Sequence, residues 1–318
     1  MKKILITGAS GFIGSFLVEK ALEKGWETWA GIRETSNRKY LKDTRIHFID
    51  LNYSNKNTLK QQIKSHVEEH GKWDYVIYNA GVTKCIRNFD FYKVNYLYMV
   101  KLVEVLQDIE TVPDKFLLMS SLSAMYPETT YGSSKFKAEQ YLEFRSPISY
   151  IIIRPTGVYG PKEKDYYMML KTIQAGLNVT AGFKQQQLTF VYVTDLVQAV
   201  FLALESALIK KTYTVSDGNV YADSEYTKLV KKALNKKFVL RIKVPLFILY
   251  IVSVISEFFG RMLGKTSTLN RDKYKIMKQR DWRCFDQHLI DDLGFLPEYD
   301  LEKGLKASVE WYKQNGWL

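Results

Sequence analysis

A phenol and an ammonium stand four residues apart in Tyr131-Gly132-Ser133-Ser134-Lys135. On a helix that spacing puts both on one face. A phenol works as an acid or base only when its pKa falls from about 10 towards the working pH. A neighbouring ammonium stabilises the phenolate and has that effect. Spacing alone decides nothing, because Tyr167/Lys171, Tyr274/Lys278 and Tyr299/Lys303 share it; those three read as surface helix. Position singles out Tyr131. It opens a helix just after a strand that ends in Ser120-Ser121, so a hydroxyl and a phenol converge at one edge of a sheet.

The second pattern is Thr7-Gly8-Ala9-Ser10-Gly11-Phe12-Ile13-Gly14. Glycines spaced G-x-x-G-x-x-G suit a tight turn, close backbone approach to a pyrophosphate and close helix–sheet packing. The N–H groups opening the following helix, together with its dipole, favour phosphate. A glycine triplet is weak evidence by itself. Here it follows a strand and opens a helix, the context a dinucleotide site needs. An acidic residue at the end of the second strand would hold the ribose 2′-hydroxyl of NAD. The sequence instead reads Ala30-Gly31-Ile32-Arg33, with Ser36 and Arg38 beyond. Arg33 could pair with a 2′-phosphate, which favours NADP over NAD; a solvated loop arginine would leave the choice open.

The elements that must position these residues follow from periodicity. Short apolar strands are expected at 3–7, 27–32, 46–49, 75–78, 115–119 and 150–153. Helical patterns lie between them, at 12–25, 56–70, 91–106 and 131–144. Such alternation predicts an α/β fold, a Rossmann-like doubly wound parallel sheet with right-handed crossovers. Ligands bind such sheets at the carboxyl ends of the strands. Residues 1–160 are expected to form the NAD(P)-binding domain, with a strand and helix near 189–215 returning to it. Residues 161–318 are expected to build a smaller, mainly helical substrate lobe with an interleaved boundary.

The composition is that of an ordinary globular protein, with 46% apolar and 25% charged residues. The formal charge of +12 would suit nucleic acid, a membrane surface or an anionic small molecule. The lysine pairs are short and dispersed and no recognition motif accompanies them, so nucleic acid is not expected. Cys85 and Cys284 form no disulfide framework. His47, His66, His70 and His288 are scattered without metal-ligand spacing, so no metal is expected. The amino-terminal apolar run is too short for a signal peptide, which makes the cytoplasm the default location. The segment 244–260, VPLFILYIVSVISEFFG, is just under spanning length, and Ser253, Ser256 and Glu257 fall near one helical face. A buried or pocket-lining helix is expected there, with peripheral membrane contact as the alternative.

Taken together, these motifs resemble the extended short-chain dehydrogenase/reductases, the NAD(P)-dependent epimerase/dehydratase group, over essentially the whole chain. TGASGFIG is similar to the group's cofactor turn, implying cofactor contacts at Gly8, Ser10, Gly11, Phe12, Ile13 and Gly14. Asp50-Leu51 resembles its adenine-contacting pair. Asn79-Ala80-Gly81 resembles the segment lining the cofactor after the fourth strand, and Asn95 matches the asparagine of the next helix. RPTGVYGP, over 154–161, resembles the segment whose backbone, around Pro155 and Val158, faces the nicotinamide. Asp195 resembles a buried structural aspartate, and the ending LGFLPEYDLEKGL followed by Trp311-Tyr312 is also typical. The resemblance implies that Tyr131 is the general acid/base and that Lys135 lowers its pKa and holds the nicotinamide ribose. Ser121 would bond the substrate oxygen, with Ser123 as the other candidate. It also implies substrate-side places for Thr83, Lys84 and Tyr159, and a homodimer through the helices of Asn95 and Tyr131.

Nine residues separate Ser121 from Tyr131, fewer than is common in the group. Either the pocket is trimmed or a loop near Met125-Tyr126 is omitted from the sequence. Leu122-Ser123 stand where the sugar dehydratases carry Asp-Glu, which argues against dehydration. Cys85 has no histidine near the Tyr131 helix, so a Cys/His pair is weakly supported. The leading expectation is epimerisation of a nucleotide sugar by transient hydride transfer. The alternative is an NADP-dependent reductase or dehydrogenase of an apolar ketone or alcohol, of hydroxysteroid or flavonol type. A third reading is a non-catalytic cofactor-sensing or RNA-binding scaffold, which the presence of both Tyr131 and Lys135 disfavours.

Overall fold

In a computed structural model, which describes residues 1–267 and 269–318, seven strands form one sheet. Six of them are β1 (Lys3–Thr7), β2 (Glu27–Gly31), β3 (His47–Ile49), β4 (Tyr75–Tyr78), β5 (Lys115–Met119) and β6 (Tyr150–Pro155). With the strand Lys211–Val215 at one end, the order is Lys211–Val215, β6, β5, β4, β1, β2, β3. Every pairing among β1–β6 is parallel. The runs YVIY in β4 and KFLLM in β5 are buried throughout, as strands covered on both faces must be. The order reverses between β1 and β4, the switch point where such sheets open a crevice for ligands.

The helices beside these strands are α1 (Phe12–Glu23), α2 (Lys56–His70), α3 (Asn88–Tyr92), α4 (Tyr98–Asp108) and α5 (Thr130–Arg145). Asn55 caps α2, accepting from the backbone N–H groups of Asn57 and Thr58, and Thr129 caps α5, accepting from Gly132; both satisfy orphan donors of a first turn. The single helix expected at 91–106 is interrupted. Lys93–Leu97 form a π-helical turn between α3 and α4.

The chain divides into two compact units, Met1–Arg154 with Val197–Tyr213, and Pro155–Leu196 with Thr214–Leu318. The first has its core between the sheet, α2, α4 and α5, with Leu5, Val76, Leu102, Phe116, Leu118 and Leu142 fully buried. The second is built around aromatic residues, among them Tyr159, Phe190, Tyr226 and Tyr312. It also holds a parallel pair, Leu177–Ala181 with Leu240–Val244, which the mainly helical reading of this half did not contain. Both alternate apolar and polar residues, LNVTA and LRIKV, a strand signal that the helical reading of this half passed over.

The expectation for 244–260 is overturned. The segment does form a helix, Leu246–Met262, but within it only Leu249 and Ser253 are buried. Among the described residues, no helix is long and apolar enough to cross a membrane.

Candidate active site

The glycine turn joins β1 to α1. Gly8 has φ +64°, and a Cβ there would lie 2.8 Å from the Cα of Ala80, so the turns after β1 and β4 touch only because the residue is glycine. At Gly14 a Cβ would lie 2.2 Å from the carbonyl oxygen of Gly8, which is close helix–turn packing. Thr7 locks the two turns together: its buried hydroxyl accepts from the backbone N–H groups of Asn79 (3.1 Å) and Ala80 (3.0 Å). Helix α1 has Gly11 at the cap position before it, which offers no side chain to the first turn. Its first N–H groups are therefore left for an external acceptor, and the cradle fits a pyrophosphate. Ser10, Phe12 and Ile13 are partly exposed along this turn.

At the end of β2, Arg33 is exposed, and its backbone N–H donates to the Ser36 hydroxyl at 3.2 Å. Arg38 instead stacks its guanidinium over Phe48, 4.2 Å from the ring centre, so it is anchored away from Arg33's task. The Asp50 carboxylate accepts from the backbone N–H of Glu34 at 2.9 Å, holding the β2 loop to the end of β3, while Leu51 is core.

The π-helical turn presents Asn95 inward, fully buried. Its carboxamide donates to the carbonyl oxygen of Val82 (3.1 Å) and the Ser134 hydroxyl (2.9 Å), and accepts from the Val82 N–H (2.8 Å). Asn95 thus pins the segment after Gly81 to α5. A Cβ on Gly81 would fall 3.2 Å from both Asn95 Oδ1 and Lys135 Nζ, so Gly81 leaves the room in which these groups meet.

Tyr131 and Ser121 are brought together. The phenol is raised by burial, and a hydrogen bond with the Ser121 side chain opposes that rise. Lys135 is buried, and its ammonium donates to the carbonyl oxygen of Met119 at 2.7 Å. Burial lowers its pKa to about 8, with Glu139 opposing. The bond to Met119 holds Lys135, one helical turn beyond Tyr131, at the carboxyl end of β5. Ser121 also caps the 3-10 turn Leu122–Met125, accepting from the Ser123 N–H, so Ser123 serves the turn through its backbone.

Nine residues suffice between Ser121 and Tyr131 because that turn packs directly on α5. A Cβ on Gly132 would lie 2.4 Å from the carbonyl oxygen of Ser123. Gly132 is a site residue the sequence reading passed over. So is Glu139, whose carboxylate accepts from Arg154 Nε (2.9 Å) and Nη2 (2.6 Å) and from the Ser120 hydroxyl. The signal for Glu139 was present, a carboxylate one further helical turn beyond Lys135 on the same face.

Thr83 and Lys84 are exposed after β4. Burial pushes the Cys85 thiol up to about 11, so it stays protonated and does not extend the proton-transfer set. In the second unit, Pro155 and Val158 belong to consecutive strands. Tyr159 corrects an expectation: it is only 2% exposed, its hydroxyl donates to the Asp300 carbonyl oxygen at 3.0 Å, and Gly304 makes room for it. Its ring is core, not pocket wall. Asp195 is buried as expected and accepts from the Tyr299 N–H at 2.9 Å. Three of the four histidines, far apart in sequence, converge: His47, His66 and His70 pack around Trp29. That is an aromatic packing cluster, and no metal-binding group is found among the described residues.

The model of the NAD dependent epimerase/dehydratase family matches residues 4–216. The chain belongs to this family. The chain is similar to a UDP-glucose 4-epimerase from Vibrio cholerae, 24% identical over 98% of this chain and 96% of the relative. A ceramide reductase from Caulobacter vibrioides is 21% identical over 99% and 96%. Among solved structures, the UDP-glucose 4-epimerase of Thermus thermophilus in complex with NAD superposes with a TM-score of 0.75 at 18% identity, over 98% of this chain and 99% of that one. The chain is thus an epimerase/dehydratase-family enzyme, an extended short-chain dehydrogenase/reductase.

Proposed function

We propose that this enzyme epimerises a nucleotide sugar by transient hydride transfer. The hydrogen-bonded Ser121–Tyr131 pair, beside Lys135 at the carboxyl end of β5, carries the reading. A relative named as a UDP-glucose 4-epimerase matches along nearly the full length of both chains and supports it. The absence of Asp-Glu after Ser121 disfavours dehydration.

The cradle of Gly8, Ser10, Gly11, Phe12, Ile13 and Gly14 would hold the pyrophosphate. Asp50, Leu51, Asn79, Ala80 and Gly81 would line the nucleoside and nicotinamide sides, and Lys135 the ribose; Pro155 and Val158 would add backbone contacts. The bound cofactor supplies the acceptor and donor of hydride. The chain's own part is protonic. Tyr131 takes the proton from the sugar hydroxyl as its carbon is oxidised and returns it when the ketone is reduced. Ser121 donates to the substrate oxygen and holds it in line. Lys135, with its pKa of about 8, remains an ammonium at neutral pH and places positive charge where negative charge develops. Thr83 and Lys84 stand on the substrate side.

Arg33, exposed at the end of β2 with no side-chain partner for its guanidinium among the described residues, supports a preference for NADP over NAD. Purified enzyme incubated with UDP-glucose and catalytic dinucleotide should yield the 4-epimer with no net change in reduced cofactor. Steady consumption of reduced cofactor with an apolar ketone, and no sugar interconversion, overturns the reading. Arg33→Ala should weaken NADP binding about tenfold or more and NAD binding little; equal losses would refute the preference.

A further inference from the structure

The helix Leu246–Met262 is amphipathic the wrong way round for water. Its inward face carries the polar residues. Ser253 is fully buried, and the Ser256 hydroxyl lies 2.6 Å from that of Ser267. Glu257 is held by Arg271, at 2.9 and 3.0 Å, and by Arg261 at 2.6 Å. Gly260 lets the chain fold back so closely that a Cβ would lie 2.9 Å from the Lys265 carbonyl oxygen. The outward face is apolar. Phe247, Ile251, Val254 and Phe258, which recur at i, i+4, i+7 and i+11, are 67%, 52%, 38% and 64% exposed. Ile248, Val252, Ile255, Phe259, Met262 and Leu263 are exposed as well. Soluble proteins seldom leave so continuous an apolar surface to water.

The strand pair leading into this helix repeats the pattern. Leu240 stands opposite Leu177, and Ile242 opposite Val179. All four are exposed, and paired positions of this kind share one face of the ribbon. The Val244 carbonyl oxygen accepts from the Gly182 N–H at 2.7 Å, and Leu246 packs where a Gly182 side chain would go. The ribbon therefore abuts the start of the helix.

Charge decides what covers this surface. Residues 236–283 contain twelve Lys and Arg against three Asp and Glu, a net of +9 out of +12 for the whole chain. Lys236, Lys237, Arg241 and Lys243 lie exposed before the helix, and Lys265, Arg271, Lys275 and Lys278 lie exposed after it. A second copy of the chain would bring the same positive charge against itself. An anionic bilayer offers acyl chains to the apolar face and headgroup charge to its cationic rim. We infer that the second unit docks on anionic phospholipid, with Leu246–Met262 lying in the plane of the headgroups. At 17 residues the helix is about 25 Å long, short of the hydrocarbon thickness, and its polar face stays on protein.

Flotation of the full-length protein with phosphatidylcholine vesicles, with and without about a third phosphatidylglycerol, tests this. The anionic vesicles should carry at least about tenfold more protein, and added salt should reduce the difference. The variant Phe247→Ser/Ile251→Ser/Phe258→Ser should stay unbound while keeping its circular dichroism spectrum and melting temperature, because all three side chains face solvent. Lys236→Glu/Lys237→Glu should weaken binding to anionic vesicles alone. A wild-type protein that ignores both vesicles, or a triple variant that binds as well as wild type, overturns the proposal. Sedimentation equilibrium supplies the rival outcome: a wild-type dimer that the triple variant abolishes, without vesicle binding, would assign the face to a second copy.

Discussion

Tyr131 is half-buried, and desolvation raises its pKa, against one hydrogen bond with Ser121 that lowers it. Removing its hydroxyl leaves the cofactor cradle untouched. Tyr131→Phe should therefore lose about 10²–10⁴-fold in turnover with unchanged dinucleotide affinity by calorimetry. Retained turnover would remove Tyr131 from the proton-transfer role. Gly132 makes a different point. Its absent side chain leaves 2.4 Å to a backbone oxygen of the turn that Ser121 caps. Gly132→Ala should cost about 1–3 kcal/mol in denaturant unfolding and also lower turnover, because the atom displaced belongs to the turn that aims Ser121. Tyr131, Lys135 and Ser121 could be picked out from residue type and position after a strand. Gly132 could not. A glycine in a helix looks like a simple helix weakener until the neighbouring turn is known, and that neighbour is set by packing. Tyr159 failed for the same reason: a tyrosine in a motif does not disclose whether its ring faces a pocket or a core.

The helices and strands were legible where periodicity is strong, as in β1, β4, β5, α2 and α5. The π-helical turn was not, since one residue of extra winding leaves the apolar pattern on either side intact. Helix α2 shows how an element can carry a titration. His66 lies on its buried side, stacked 4.1 Å from Trp73, and its Nε2 lacks a hydrogen-bond partner. Burial lowers its pKa to about 4, with the nearby His70 acting in the same direction. The unfolded chain binds this proton near pH 6.5 and the folded chain only near 4. Stability from His66 is thus complete above pH 6.5 and lost as pH falls towards 4. Between pH 7 and 4.5 the loss should be about 2–3 kcal/mol in chemical denaturation. His66→Leu should flatten that part of the profile; an unchanged slope would assign the acid sensitivity to other groups.

For the molecule as a whole, strand–helix alternation was enough to specify a doubly wound sheet, and the strand order places its switch point between β1 and β4. The glycine turn, Asn79 and Ser121 all follow strands that flank or adjoin that point, which is why motifs separate in sequence read as one site. The aromatic unit and the helix Leu246–Met262 were harder to read. A window of apolar residues says that a helix wants cover, and only the packing of Ser253, Ser256 and Glu257 inward shows that the cover is not the protein's own core. The charge count misled in the same way: no single run of lysines is long, and the excess emerges only once 236–283 is taken as one segment.

The π-helical turn at Lys93–Leu97 has a genetic consequence. It holds one residue more than an α-helix needs there, and each residue of an α-helix turns the chain by about 100°. Loss of the codon for Tyr96 or Leu97 would let α3 and α4 merge into one regular helix. The core-facing side of α4, with Met99, Leu102, Val103 and Leu106, would keep its place. Asn95 and everything before it would swing away from Val82 and Ser134. A lineage could therefore abandon the chemistry of this fold by one in-frame deletion and still inherit a folded protein.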